Sequence, residues 1–193
     1  GIKPTPSIGG VGLIKNYKKM ITMDFKEKNN LVMIIGKTEG HIDQSLFART
    51  ILDEKNGPPP EVNLFNEKNN GESLLSLINK NYIRSANDVS LGGIITALTK
   101  MCIKGNKGIK LKKSKNLINE IEYLFAEDQG RYIIEIDQKN LKEVVKILEK
   151  NSVHHEELGI IIEENMIIDD KTKVTIDELK SYNTNWLESY MSS

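Results

Sequence analysis

The stretch SANDVSLGG, residues 85–93, sets one carboxylate, Asp88, just ahead of Ser90 and the pair Gly92–Gly93, after which apolar residues recur at a helical spacing. A chain that runs from a strand through small residues into a helix presents backbone N–H groups that have no partner inside the helix. Such a turn can hold phosphate or carboxylate through those groups and through the positive end of the helix dipole. The same spacing also serves a purely structural end, because the side chain of Asp88 or Ser90 can cap the free N–H groups. The glycines weigh toward a ligand. Each costs about 0.5–1 kcal/mol relative to alanine in a helix, a cost that makes sense where another group comes close to the backbone.

A second acidic group lies in LFAEDQGRY, residues 124–132. Glu127 and Asp128 are read as closing a helix, at the negative end of its dipole, where carboxylates are disfavoured. Either Arg131 pairs with one of them, a frequent and weak surface device, or Glu127 faces a metal or ligand. His154 and His155 are adjacent, so in a strand they point to opposite faces and do not share a metal; His41 stands alone in TEGHIDQS. Cys-x-x-Cys, His-Glu-x-x-His, phosphate-loop and Gly-x-Ser-x-Gly patterns are absent. The residues by themselves define an acidic, glycine-rich edge and no reaction.

Elements that can position this edge follow from periodicity. Residues 18–25 (KKMITMDF) and 31–36 (LVMIIG) read as a hairpin-like strand pair. Residues 42–52 read as a helix from the spacing of Leu46, Phe47, Ile51 and Leu52. The run of three prolines makes 54–64 a loop. A helix over 71–81 and a short strand over 82–86 precede the helix over 90–105, whose inward face carries Ile94, Leu98, Met101 and Cys102 and whose end falls near Gly105. Next come a strand over 107–112, a helix over 114–130 with a polar exit, a strand over 131–136 and an amphipathic helix over 140–151. Residues 154–175 read as strands with turns, and 176–193 as one or two short helices. Strands alternating with helices, with hairpin-type connections near both ends, predict an α/β fold: a mixed β-sheet with helices packed on its faces.

Composition bounds the rest. The 193 residues suffice for one substantial domain. Lys plus Arg and Asp plus Glu are 27 each, so there is no basic footprint for nucleic acid. No apolar run approaches a membrane span, and the lone Cys102 reads as a core residue of a reducing compartment; the expected setting is the cytoplasm. Arginine occurs only at Arg49, Arg84 and Arg131 against a large excess of lysine, which makes the three arginines the more informative cations. The opening GIKPTPSIGGVG, with Pro4, Pro6, Gly9, Gly10 and Gly12 ahead of any periodic pattern, is either a frayed leader or a piece of an interdomain seam.

PTPSIGGVGL, GPPPEVNL, SANDVSLGGIITAL, LFAEDQGRYIIEI and the closing TNWLESYM occur here in the order seen in the synthetase subunit of phosphoribosylformylglycinamidine synthase, and the chain resembles that family over essentially its whole length. The resemblance implies an AIR-synthase-type C-terminal domain over 19–175, an interdomain seam segment over 1–18 and a helical tail over 176–193. It implies an enzyme that converts formylglycinamide ribonucleotide to its amidine with ATP and Mg2+, using ammonia released from glutamine by a glutaminase subunit in a complex with a small accessory subunit. The family's catalytic histidine belongs to the N-terminal half, so no catalytic residue is expected here and the fragment alone is expected to be inactive. Position by position, Asp88 matches the aspartate of the D-V-S-x-G-G motif and Ala126 a site often glycine in L-F-G-E, both assigned to nucleotide binding. Glu127 matches a magnesium position. Gly9, Gly10 and Gln129 match the substrate cleft.

The chain departs from the family at Asn87, where histidine is usual, at Leu91, where a polar residue is usual, and at Asp43, where glycine is usual. The last weakens a ligand contact over Gly40–Ser45, and all three fit a second, structural site. Other members of the superfamily, such as AIR synthase or selenophosphate synthetase, share the domain type without the PTPSIGGVG opening. A non-catalytic scaffold is the remaining alternative.

Overall fold

The computed structural model describes residues 6–113, 119–170 and 172–192. Within them seven strands form one sheet: β1 (Leu31–Ile35), β2 (Ile83–Asp88), β3 (Gly108–Leu111), β4 (Tyr132–Ile136), β5 (His155–Ile162), β6 (Asn165–Ile168) and β7 (Thr172–Thr175). Their order across the sheet is β2-β4-β1-β5-β3-β6-β7. Neighbours are antiparallel except β3 and β6, which run parallel. Among the described residues six α-helices accompany them: α1 (Leu46–Thr50), α2 (Leu64–Asn79), α3 (Gly93–Gly105), α4 (Glu120–Phe125), α5 (Leu141–Lys150) and α6 (Ile176–Met191). The predicted mixed sheet with helices on its faces is the observed architecture.

The centre of the sheet is apolar on both sides, and strand alternation divides its residues between two cores. Val32, Ile34 and Ile133 point to the face covered by α3, α4 and the start of α6, where Ile94, Leu98, Met101, Cys102, Leu124 and Ile176 pack with them. Met33, Ile35, Ile134 and Ile136 point to the face covered by α2 and α5, against Leu77, Val144 and Leu148. Cys102 is fully buried, and burial pushes its thiol up to about 12, so it is a core side chain.

Several expectations need correction. Residues 18–25 do not pair with 31–36. Both edges of β1 are taken, by β4 and by β5, so the earlier segment has no edge to join. It makes a short 3-10 turn at Tyr17–Lys19 and a single bridge from Thr22 to Ser85, then buries Phe25. The Glu135 carboxylate fixes the turn between Phe25 and β1. Buried in β4, it accepts from the Lys26 and Glu27 amides at 2.8 and 3.0 Å, from Asn30 Nδ2 at 2.7 Å and from Ser85 Oγ at 2.9 Å. The helix expected over 42–52 shrinks to Leu46–Thr50, capped by Ser45, and leaves Ile51 and Leu52 exposed.

Helix α2 starts seven residues before the expected 71, where the Asn63 side chain accepts from the Asn66 amide. Strand β2 runs on through Asp88. Helix α3 ends with Gly105 still helical and Asn106 in the left-handed turn. Of the helix expected over 114–130, residues 114–118 lie outside the described residues, and α4 ends at Phe125. The tail is one continuous helix, opened by a reciprocal cap between Thr175 and Glu178. No helix among the described residues is long and apolar enough to cross a membrane.

Candidate functional site

Strand β2 delivers Asp88 to the end of the sheet beside Tyr132 of β4, its partner in register. The Asp88 side chain is exposed and accepts no hydrogen bond among the described residues. It makes itself felt at Tyr132, whose hydroxyl titrates above the usual tyrosine range because partial burial disfavours the phenolate, with the Glu67 and Asp88 carboxylates adding to the effect. Neither Asp88 nor Ser90 caps α3. The residue at the cap position is Gly92, with φ 81°, and no side chain bonds to the turn from that position. Gly92 therefore forms the turn that enters the helix, and Gly93 is the first residue of its first turn.

Both glycines have work to do there. Gly93 has φ +70°, and a Cβ on it would lie 2.6 Å from the Leu124 carbonyl oxygen and 2.7 Å from that of Ala126. The close approach anticipated from the pair is thus made by the chain itself, by the end of α4. The amide of Gly92 donates to Oε1 of Glu127 at 2.9 Å, and the amide of Leu46, at the start of α1, donates to the same oxygen at 2.7 Å. Glu127 is therefore not stranded at a helix C-terminus. Its carboxylate reaches across to free N–H groups of two other segments, where a negative charge is favoured. Its other oxygen, Oε2, takes no hydrogen bond among the described residues.

Asp128 and Arg131 were weighed from the sequence only as a surface ion pair. They are buried. Asp128 Oδ2 accepts from the amides of Glu39 and Gly40 at 3.0 and 3.1 Å, and Oδ1 from that of His41 at 3.1 Å. The Arg131 guanidinium lies 3.7 Å from Oδ2. Burial lowers its proton affinity, and the Asp128 charge restores part of it. The signal that could have found this pair was the scarcity of arginine: of the three, only Arg131 sits in the interior.

The remaining expected site residues separate. Gln129 is exposed on the same 126–131 segment. Ala126 is fully buried, and its carbonyl oxygen accepts from Arg131 Nη2 at 2.7 Å. Gly9 and Gly10 lie in an exposed stretch without helix or strand, and nothing approaches the position of a Cβ on either. Asp43 is exposed, and Asn87 is buried with its Nδ2 donating to the Ala97 carbonyl. Among the described residues no three His, Cys, Asp or Glu side chains converge well enough to hold a metal ion.

The sheet thus carries helices on both faces and, at one end, a glycine turn flanked by carboxylates. The family model of the AIR synthase related protein, C-terminal domain, matches residues 27–170, and the chain belongs to that family. Within it, the chain is 69% identical over 193 residues to the phosphoribosylformylglycinamidine synthase subunit PurL of Pelagibacter ubique, a match covering 100% of this chain and 26% of that protein. The chain thus spans about a quarter of the length of the curated relatives it matches. Among solved structures it is similar to PurL of Thermotoga maritima complexed with FGAR, with a TM-score of 0.72, 18% identity, and coverage of 84% of this chain and 29% of that one. The same protein complexed with ATP gives a TM-score of 0.66 at 16% identity, covering 84% and 27%.

Proposed function

We propose that this chain supplies the C-terminal portion of a phosphoribosylformylglycinamidine synthase, the ligase that joins ammonia to formylglycinamide ribonucleotide with ATP in purine biosynthesis. The 69% identity to the Pelagibacter subunit, sustained over every residue of the chain, carries this reading. In that reaction the terminal phosphoryl group of ATP passes to the amide oxygen and ADP leaves; ammonia then adds to the activated carbon, phosphate departs with that oxygen, and a proton is lost. The protein's part is largely to hold charge and geometry. The rest of the polypeptide supplies the opposite side of the cleft and the catalytic histidine. A glutaminase subunit, held through a small accessory subunit, supplies ammonia in the cytoplasm.

On this reading residues 1–18 form the seam with the rest of the enzyme, 19–175 the domain proper and 176–193 its helical tail. Asp88 and the backbone around Ala126 face the nucleotide, and Gly9, Gly10 and Gln129 face the substrate. Magnesium fits here as a partial site. Asp88 is exposed and Glu127 has one oxygen fixed by two amides with the other uncommitted. The uncommitted oxygen of Glu127 suits an ion that keeps several waters and is otherwise held by phosphates. When bound, it neutralises charge on the transferring phosphoryl group.

The test is an assay of the full-length polypeptide with formylglycinamide ribonucleotide, ammonium chloride, ATP and magnesium. ADP, phosphate and amidine should form in equal amounts without any glutaminase. Absence of ADP formation dependent on the ribonucleotide would overturn the reading.

A further inference from the structure

The loop from Lys37 to Ser45 has no strand or helix of its own, and the two residues it buries, Thr38 and Ser45, are both polar. Apolar burial therefore does not shape it. Three successive amides, of Glu39, Gly40 and His41, turn instead toward the carboxylate of Asp128. Backbone N–H groups gathered in this way make an anion-binding concavity, here filled by the chain's own side chain through charge-assisted bonds. The amide of Glu127 closes the arrangement by donating to the His41 carbonyl at 3.1 Å.

Arg131 braces Asp128 from behind. Its Nε donates to the Asp128 carbonyl at 3.1 Å, Nη1 to Thr38 Oγ1 at 3.0 Å and Nη2 to the Ala126 carbonyl at 2.7 Å. A buried ion pair adds little net stability over an apolar pair of the same volume. What this pair does provide is a fixed backbone shape for a loop whose outer residues face solvent. The loop leads into Leu46, the first residue of α1, whose amide shares Glu127 Oε1 with the Gly92 amide. The neighbouring carboxylates of Glu127 and Asp128 thus set the loop and the glycine turn of α3 against each other.

We infer that Asp128, braced by Arg131, is a positioning residue that holds the 37–45 loop against the Gly92–Gly93 turn, so that the two form one wall of the ligand-facing edge. Its ligands, a nucleotide and a phosphorylated ribose substrate, rest on the function proposed above. Asp128 itself is buried against backbone and touches neither; it acts through the loop.

The experiment uses the full-length protein. Asp128→Asn keeps the volume but removes the charge and turns an NH2 group toward amides that need an acceptor. With the fold retained by circular dichroism, the Michaelis constant for the ribonucleotide or ATP should rise about tenfold or more while kcat changes less, as expected for a displaced binding wall. The amides of residues 39–41 should exchange faster with deuterium. Thr38→Val, which removes the acceptor for Arg131 Nη1, should move the same constant in the same direction by less, and it carries the test if the first variant does not fold. An active wild type with unchanged Michaelis constants in the folded variants overturns the positioning role alone. A wild type without synthase activity overturns the proposed function, and with it the ligands named here.

Discussion

The middle of the sheet and the corner that holds residues 126–131 are built from opposite materials. In β1 and β4, consecutive apolar residues are buried alternately on two faces, and each is held by many contacts with no direction of their own. At the corner, order comes from a few directed bonds: Glu127 to two amides, Asp128 to three, and Arg131 to a hydroxyl and two carbonyls. The first kind of region tolerates loss of a group by weakening. The second tolerates it by changing shape. A binding edge needs a defined shape with open backbone, which apolar packing does not provide, and the corner satisfies its own buried polar groups while leaving Asp88 and Gln129 exposed.

This contrast can be broken by substitution. Leu98→Ala, at a fully buried position of α3, should cost about 2–5 kcal/mol in urea denaturation and leave the Michaelis constants of the folded enzyme alone; a selective loss of binding would dissolve the distinction. Gly93→Ala should come next, at about 1–3 kcal/mol for the strained backbone. A Cβ there meets two carbonyl oxygens that cannot swing aside, so the turn must shift, and ligand binding should weaken as well. Gly71→Ala provides the opposite sign. It lies within α2, and the Tyr132 hydroxyl is 3.9 Å from the position of its Cβ, an ordinary contact. Stability should rise by about 0.5–1 kcal/mol with binding unchanged.

The apolar half of the molecule was the legible half. LVMII and YIIEI announce buried strands by composition, and Leu141, Val144, Val145 and Leu148 announce α5 by period. Residues 18–25 misled because Phe25 and the half-buried Ile21 serve as anchors while Met20 and Met23 stay exposed, and only the long-range pairing of β1 with β4 and β5 reveals that no edge was left for them. The start of α2 was hidden because Leu64 and Phe65 are exposed and two of its buried residues, Asn70 and Ser73, are polar. At the candidate site, Asp88, Glu127 and the glycine pair were singled out by local chemistry. The role of Asp128 was not, because the amides it holds lie 87 to 89 residues away in sequence. Motif spacing carries no trace of that separation.

Whether this edge carries a nucleotide is settled most directly by titrating MgATP into the full-length protein and its Asp88→Asn variant, with melting temperature measured alongside. Because Asp88 is exposed and accepts no hydrogen bond among the described residues, the variant should bind at least about tenfold more weakly, equivalent to about 1.4 kcal/mol, and melt with the wild type. Equal affinity together with a lowered melting temperature would make Asp88 part of the scaffold and contradict the account.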